Sequence, residues 1–130
     1  MFRTWITLVS LFGAVGVALA AWSSHGLASF IPAEQLAVAA ERARAASLHH
    51  LLHTLALFGV ALWSRQAPSG WLNLAGGLFS LGILCFAGGI YVLRIFAGIH
   101  TGPLINVGTS GRFFLLGRWL ALGVAGWKQR

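Results

Sequence analysis

The chain has 130 residues, 58% hydrophobic and 8% charged. An ordinary soluble domain is about 25% charged, and chains this short bury the smallest share of their surface, so a water-soluble globule is excluded. The formal charge of +7, nine Lys and Arg against Glu34 and Glu41, is scattered between apolar runs. That spacing excludes a nucleic-acid-binding module and leaves membrane orientation and headgroup contact as its meaning.

The predicted fold is all-α: a single integral membrane domain over residues 1–130, with four transmembrane helices in a bundle and a short interfacial helix after the first span. The first span, about Trp5 to Trp22, follows Arg3. Gly13, Gly16 and Ala20 recur at helical spacing and predict a smooth strip where another helix approaches closely. Ala18-Leu19-Ala20 also has the small-residue pattern of a signal-peptide cleavage site, which would leave three spans.

The segment Ser23 to Ser47 is the only sizeable polar one. Pro32 with Glu34 is a helix start, because Pro suits the first turn and an acid meets the positive end of the dipole. Glu34, Glu41 and Arg44 then share one side and Leu36, Ala40 and Ala43 the other. The pattern predicts an interfacial helix running into the second span, with an exposed helical loop as the alternative.

The second span runs from about Leu48 to Trp63. Pro68 and Gly70 then force a tight reversal. The third, Trp71 to Leu93, carries no charged side chain and exceeds the roughly 20 residues that cross a bilayer as a helix. Ala75, Gly82, Cys85 and Gly89 make its packing strip. Cys85, the one cysteine, is a small packing residue here. After Gly98, Gly102 and Pro103 comes the fourth span, about Leu104 to Trp127, thinned by Gly117, Gly123 and Gly126. Trp5, Trp22, Trp63, Trp71 and Trp127 fall near span ends, where an indole sits half in lipid and half in the wet interface. Arg3, Arg65, Lys128 and Arg130 share one side and Arg42, Arg44 and Arg94 the other, so the count favours both termini in the cytoplasm.

Five histidines and two arginines are the candidate chemistry. His49 and His53 are four apart, as metal-binding pairs on a helix are, and His25 is a candidate third nitrogen. Interfacial hydrogen bonding is the alternative, and haem or quinone contact a further one. Arg112 and Arg118 fall inside the fourth span, where an Arg snorkels, pairs or faces a polar cavity. They are candidates for contact with a lipid or a partner's carboxylate. The run Asn106, Gly108, Thr109, Ser110, Gly111 is a loop entering a helix, or a helix start that receives an anionic group. No phosphate loop, HExxH or nucleophile elbow occurs, and two acids give paired-carboxylate chemistry a poor basis.

Taken in order, His25-Gly26-Leu27, His53-Thr54-Leu55-Ala56-Leu57, Gly88-Gly89-Ile90-Tyr91, Asn106-Val107-Gly108 and Phe114-Leu115-Leu116-Gly117 resemble the small membrane family called domain of unknown function 423. The likeness covers nearly the whole chain. It departs at Ser24, where the family usually has Ala, at Leu52, where Tyr is frequent, and at Ile105 to Thr109, in place of a Thr-Pro-x-Gly-Gly-like turn. The resemblance implies a four-helix bacterial membrane protein, related to a eukaryotic transmembrane protein, and assigns no activity. The expected function is therefore a non-enzymatic component of the inner membrane that binds lipids or a larger membrane complex, with no cofactor. The alternatives are a His-lined metal or cofactor protein and a small transporter or channel.

Overall fold

A computed structural model of the chain describes residues 1–96 and 116–128. The regular elements among them are all helical: α1 (Phe2–His25), α2 (Ala33–Gln66) and α3 (Gly70–Gly82), which passes without a break into a π-helical stretch (Ile83–Phe96). A further helix, α4, covers residues 116–127, and one 3-10 turn (Leu27–Ser29) lies between α1 and α2. α1, α2 and the segment Gly70–Val92 are each long and apolar enough to cross a membrane. The fourth expected span is seen only in its second half. His100, Arg112 and the polar run from Asn106 to Gly111 lie outside the described residues.

The helix expected after the first span does run into the second, with no break between them. Residues 33–47 are the first four turns of α2, one helix of 34 residues. At 1.5 Å per residue it is about 51 Å long, against about 30 Å of hydrocarbon, so one part projects beyond the bilayer. Two causes keep it continuous. Ala, the best helix former, recurs through Ala39, Ala43 and Ala46. The same alanines begin a buried strip that continues through His50, Thr54 and Leu57 at helical spacing. Their partners at this end are Leu27 from the turn and Ala87 and Tyr91 from the π stretch. α2 ends where Ala67 precedes Pro68, which disfavours helical geometry. Ser69 then caps α3, its Oγ accepting from the Trp71 N–H at 3.2 Å.

α2 is the central helix, and neighbours run antiparallel. Phe2 of α1 lies beneath Arg65 of α2, with the guanidinium 5.6 Å from the ring centroid. α3 returns along α2, and α4 returns along α3: Trp119 meets Phe79 edge-on at 5.4 Å, and Lys128 lies 5.1 Å over Trp71. The start of α1, the end of α2, the start of α3 and Lys128 thus share one end. Trp5 corrects an expectation. It is 9% exposed, against Gly76, and its Nε1 donates to Asn73 Oδ1 at 3.1 Å. It ties α1 to α3 inside the protein instead of anchoring in the interface.

The outer faces are apolar. On α2, Leu48, Leu52, Leu55, Phe58 and Leu62 point outward opposite the buried strip. A patch of that size is foreign to water and natural against lipid. Hydroxyls on the helices close back on their own backbone, as Ser10 does on Ile6 O at 2.9 Å and Ser80 on Gly76 O at 2.9 Å. That satisfies these hydroxyl donors where water is absent.

Candidate functional site

The histidines of α2 divide between two faces. His50 points at α1, where Gly16 gives it room: a Cβ there would lie 3.0 Å from its Cδ2 and 2.9 Å from Leu51. On the same face of α1, a Cβ at Gly13 would lie a looser 3.9 Å from Thr54. The His50 Nε2 is paired with the Phe12 carbonyl at 2.8 Å, and its Nδ1 is buried without a hydrogen-bond partner among the described residues. A carbonyl only accepts, so Nε2 carries the proton, and in the neutral ring Nδ1 holds a lone pair.

His49 and His53, one helical turn apart, face the other way. Their rings stack at 5.7 Å with 17° between planes, His49 against Phe86 at 4.6 Å and His53 toward Phe79 at 6.0 Å. Each Nδ1 is paired with the carbonyl one turn back, His49 with Ala45 at 3.1 Å and His53 with His49 at 2.6 Å. The i, i+4 spacing does bring these two together. It does not bring His25, which is exposed at the end of α1. Because α1 runs antiparallel to α2 with Gly16 beside His50, His25 lies about 13 Å farther along. Among the described residues, no group of three His, Cys, Asp or Glu side chains is placed to hold a metal ion.

Arg118 completes the cluster. It is 1% exposed, its guanidinium 5.0 Å over the Phe79 ring, with Nη1 donating to Phe79 O at 3.4 Å. Nε and Nη2 have no partner among the described residues. Gly82 admits it: a Cβ at Gly82 would collide with the guanidinium, whose Cζ lies 2.9 Å away. The side chain is enclosed by its own chain, with a backbone carbonyl as its acceptor. Gly82 lies about 16 Å along the helix from Trp71, half the hydrocarbon thickness. The only acids in the sequence, Glu34 and Glu41, lie on α2 toward its start. Glu41 is about 18 Å from His53 along the axis, beyond the reach of an Arg side chain.

Two spaces meet at His50. A narrow cleft between α2, the π stretch and α4 is lined by the three histidines, Gly82, Phe86 and Arg118. An apolar groove of about 440 Å³ lies between α1 and the π stretch, lined by Phe12, Val15, Leu19, Leu84, Gly88 and Tyr91 among others. His50 and Ile83 border both. The groove exists because α1 and α3 touch at Trp5 and Gly76 but are apart farther along. Tyr91 holds its far end to α2, its Oη paired with Ser47 Oγ and with Ala43 O at 3.4 Å. The sequence reading missed this groove and the part of His50 in it. The available signal was Gly16 together with a lone imidazole on the opposite face from the His49–His53 pair.

The family described as "Protein of unknown function (DUF423)" matches residues 19–117. The chain is 30% identical to the UPF0382 membrane protein of Haemophilus influenzae, over 100% of this chain and 98% of that one. It is also 30% identical to the UPF0382 membrane protein YwdK of Bacillus subtilis, over 95% of each chain. A UPF0382 membrane protein of Staphylococcus saprophyticus is 29% identical over 97% of this chain and 98% of its own. No solved structure matches the chain.

Proposed function

Because the chain belongs to the DUF423 family of membrane proteins, which assigns no activity, we propose from its own geometry that it is a non-enzymatic, four-span protein of the inner membrane that holds a lipidic molecule in the groove between α1 and the π stretch. The observation that carries this is the groove itself. Its volume of about 440 Å³ is within the roughly 300–1,000 Å³ of small-molecule sites. Its lining is nearly all apolar, and it lies between two helices of spanning character. Helices in lipid associate by close packing, since lipid tails are as apolar as Leu. A gap between them at this depth is therefore filled by hydrocarbon rather than water.

Gly88 supplies the test. It borders the groove, and a Cβ there would meet nothing within 4 Å, so Gly88→Phe projects a ring into the space without disturbing the core. Native mass spectrometry of protein extracted in a mild detergent is expected to show about one bound lipidic molecule on the wild type and a depleted variant. Equal lipid on both, or none on the wild type, overturns the reading.

A further inference from the structure

We propose that the groove takes one acyl chain of a bilayer phospholipid, drawn from the leaflet away from the end shared by Phe2, Arg65, Trp71 and Lys128. The headgroup stays at the membrane surface, and the methyl end of the chain lies toward Phe12 and Ile83. The inference rests on the groove being a lipid site and adds the class of lipid, its leaflet and the direction of its chain.

Depth selects the leaflet. Along α1, Phe12 lies about 15 Å and Leu19 about 26 Å from Phe2, in a hydrocarbon layer about 30 Å thick. Both residues line the groove, which therefore runs from the middle of the bilayer toward its far boundary. In the other half the space between α1 and α3 is filled. Trp5 is buried there against Gly76, and Phe2, Ile6 and Val9 pack on the same core. A chain rooted in the near leaflet would end where the groove begins. A chain rooted in the far leaflet lies along its whole length.

Width and lining select the occupant. The volume of about 440 Å³, spread over the roughly 12 Å from Leu11 to Leu19, leaves a section of about 37 Å², whereas an α-helix with its side chains is about 10 Å across and needs about 80 Å². A helix of a second copy or of a partner does not enter, and a single hydrocarbon chain does. Apart from His50 and Tyr91, every lining residue is apolar. Nδ1 of His50 is covered and its Nε2 is engaged with Phe12 O, while Tyr91 Oη is paired on α2. A polar group carried into the groove would find no partner, at a cost of several kcal/mol in an apolar medium, so the headgroup belongs outside. The rims allow that. Leu11, Val15, Leu84 and Val92 are exposed, so the groove opens sideways to lipid, and a chain slides in while its headgroup keeps to the wet interface.

The test uses two phosphatidylethanolamines, each with a diazirine on one acyl chain, beside the ester in one and at the methyl end in the other. Each is mixed into liposomes holding the full chain and illuminated, and the cross-linked residues are located by peptide mass spectrometry. Ile83 and Tyr91 are buried and line the groove, so label on them reports its occupant rather than lipid on the outer faces. The methyl-end probe is expected on Phe12 and Ile83, the ester-side probe on Leu19 and Tyr91, and Gly88→Phe is expected to lose both. The reverse order, or both probes on both pairs alike, overturns the leaflet and the direction and leaves the lipid site standing. Label from neither probe, which a second copy seated over the groove would also give, overturns both readings. The wild-type map decides the matter even if Gly88→Phe does not fold.

Discussion

At the level of single residues the unusual pair is Gly82 and Arg118. A guanidinium enclosed in a membrane protein has given up its water, and this one keeps three compensations: the Phe79 ring at 5.0 Å, the Phe79 carbonyl at 3.4 Å, and the space left by a missing side chain. A desolvated cation over an aromatic face is worth about 2 kcal/mol, so displacing it matters. Gly82→Ala puts a methyl into the guanidinium and is expected to cost about 1–3 kcal/mol, the usual range for overfilling a packed site. Gly77→Ala, on the same helix with nothing within 4 Å of its Cβ, is the control and is expected to cost nothing. Thermal unfolding of both variants in one detergent checks this, and Gly82→Ala melting with the wild type would refute the fitted pair. In the sequence Gly82 reads as one small residue among several. That its partner is Arg118 was not legible, because the two lie on different helices and nothing local links them.

Among the helices, α2 has the most to explain. Its first turns carry Glu34, Glu41, Arg42 and Arg44, while its later turns are apolar. A reader of hydropathy divides such a segment in two. The backbone does not, because the buried strip from Ala39 to Leu57 crosses the change in composition at constant helical spacing. Charge reports what lies outside a helix, and packing decides where it ends. The π stretch was illegible for a related reason. Ile83 to Leu93 is apolar on every side, so no polar face records how many residues make a turn. Within α2, Gly59 is a local weak point with open space where a Cβ would go. Gly59→Ala is expected to stabilise the protein by about 0.5–1 kcal/mol by lowering the entropy of the unfolded chain, read as a higher melting temperature. A lower one would mean that Gly59 faces a neighbour.

For the whole molecule, the sequence disclosed the solvent and the antiparallel order of the spans, because runs of about 20 apolar residues and short Pro/Gly connections have few other solutions. It did not disclose depth. His50 and His53 begin a hydropathic span and so read as interfacial, yet packing sets them beside Gly16 and Phe79, well inside. Orientation is the remaining global property, and the shared end formed by Phe2, Arg65, Trp71 and Lys128 makes it testable. That end carries Arg3, Arg65 and Lys128, the sequence pattern adds Arg130 to it and sets Arg42, Arg44 and Arg94 on the other side, and basic residues are retained in the cytoplasm. With Cys85 replaced by Ala, a cysteine at Gln66, exposed at the end of α2, is expected to react with an impermeant maleimide only after the membrane is opened. One at Ser29, exposed in the turn after α1, is expected to react from outside in intact cells. Because the margin is a single basic residue, adding two lysines beside Ser29 is expected to weaken or reverse the pattern. Labelling of Gln66→Cys from outside in the unaltered background would invert the assignment, with the groove and its imidazole untouched.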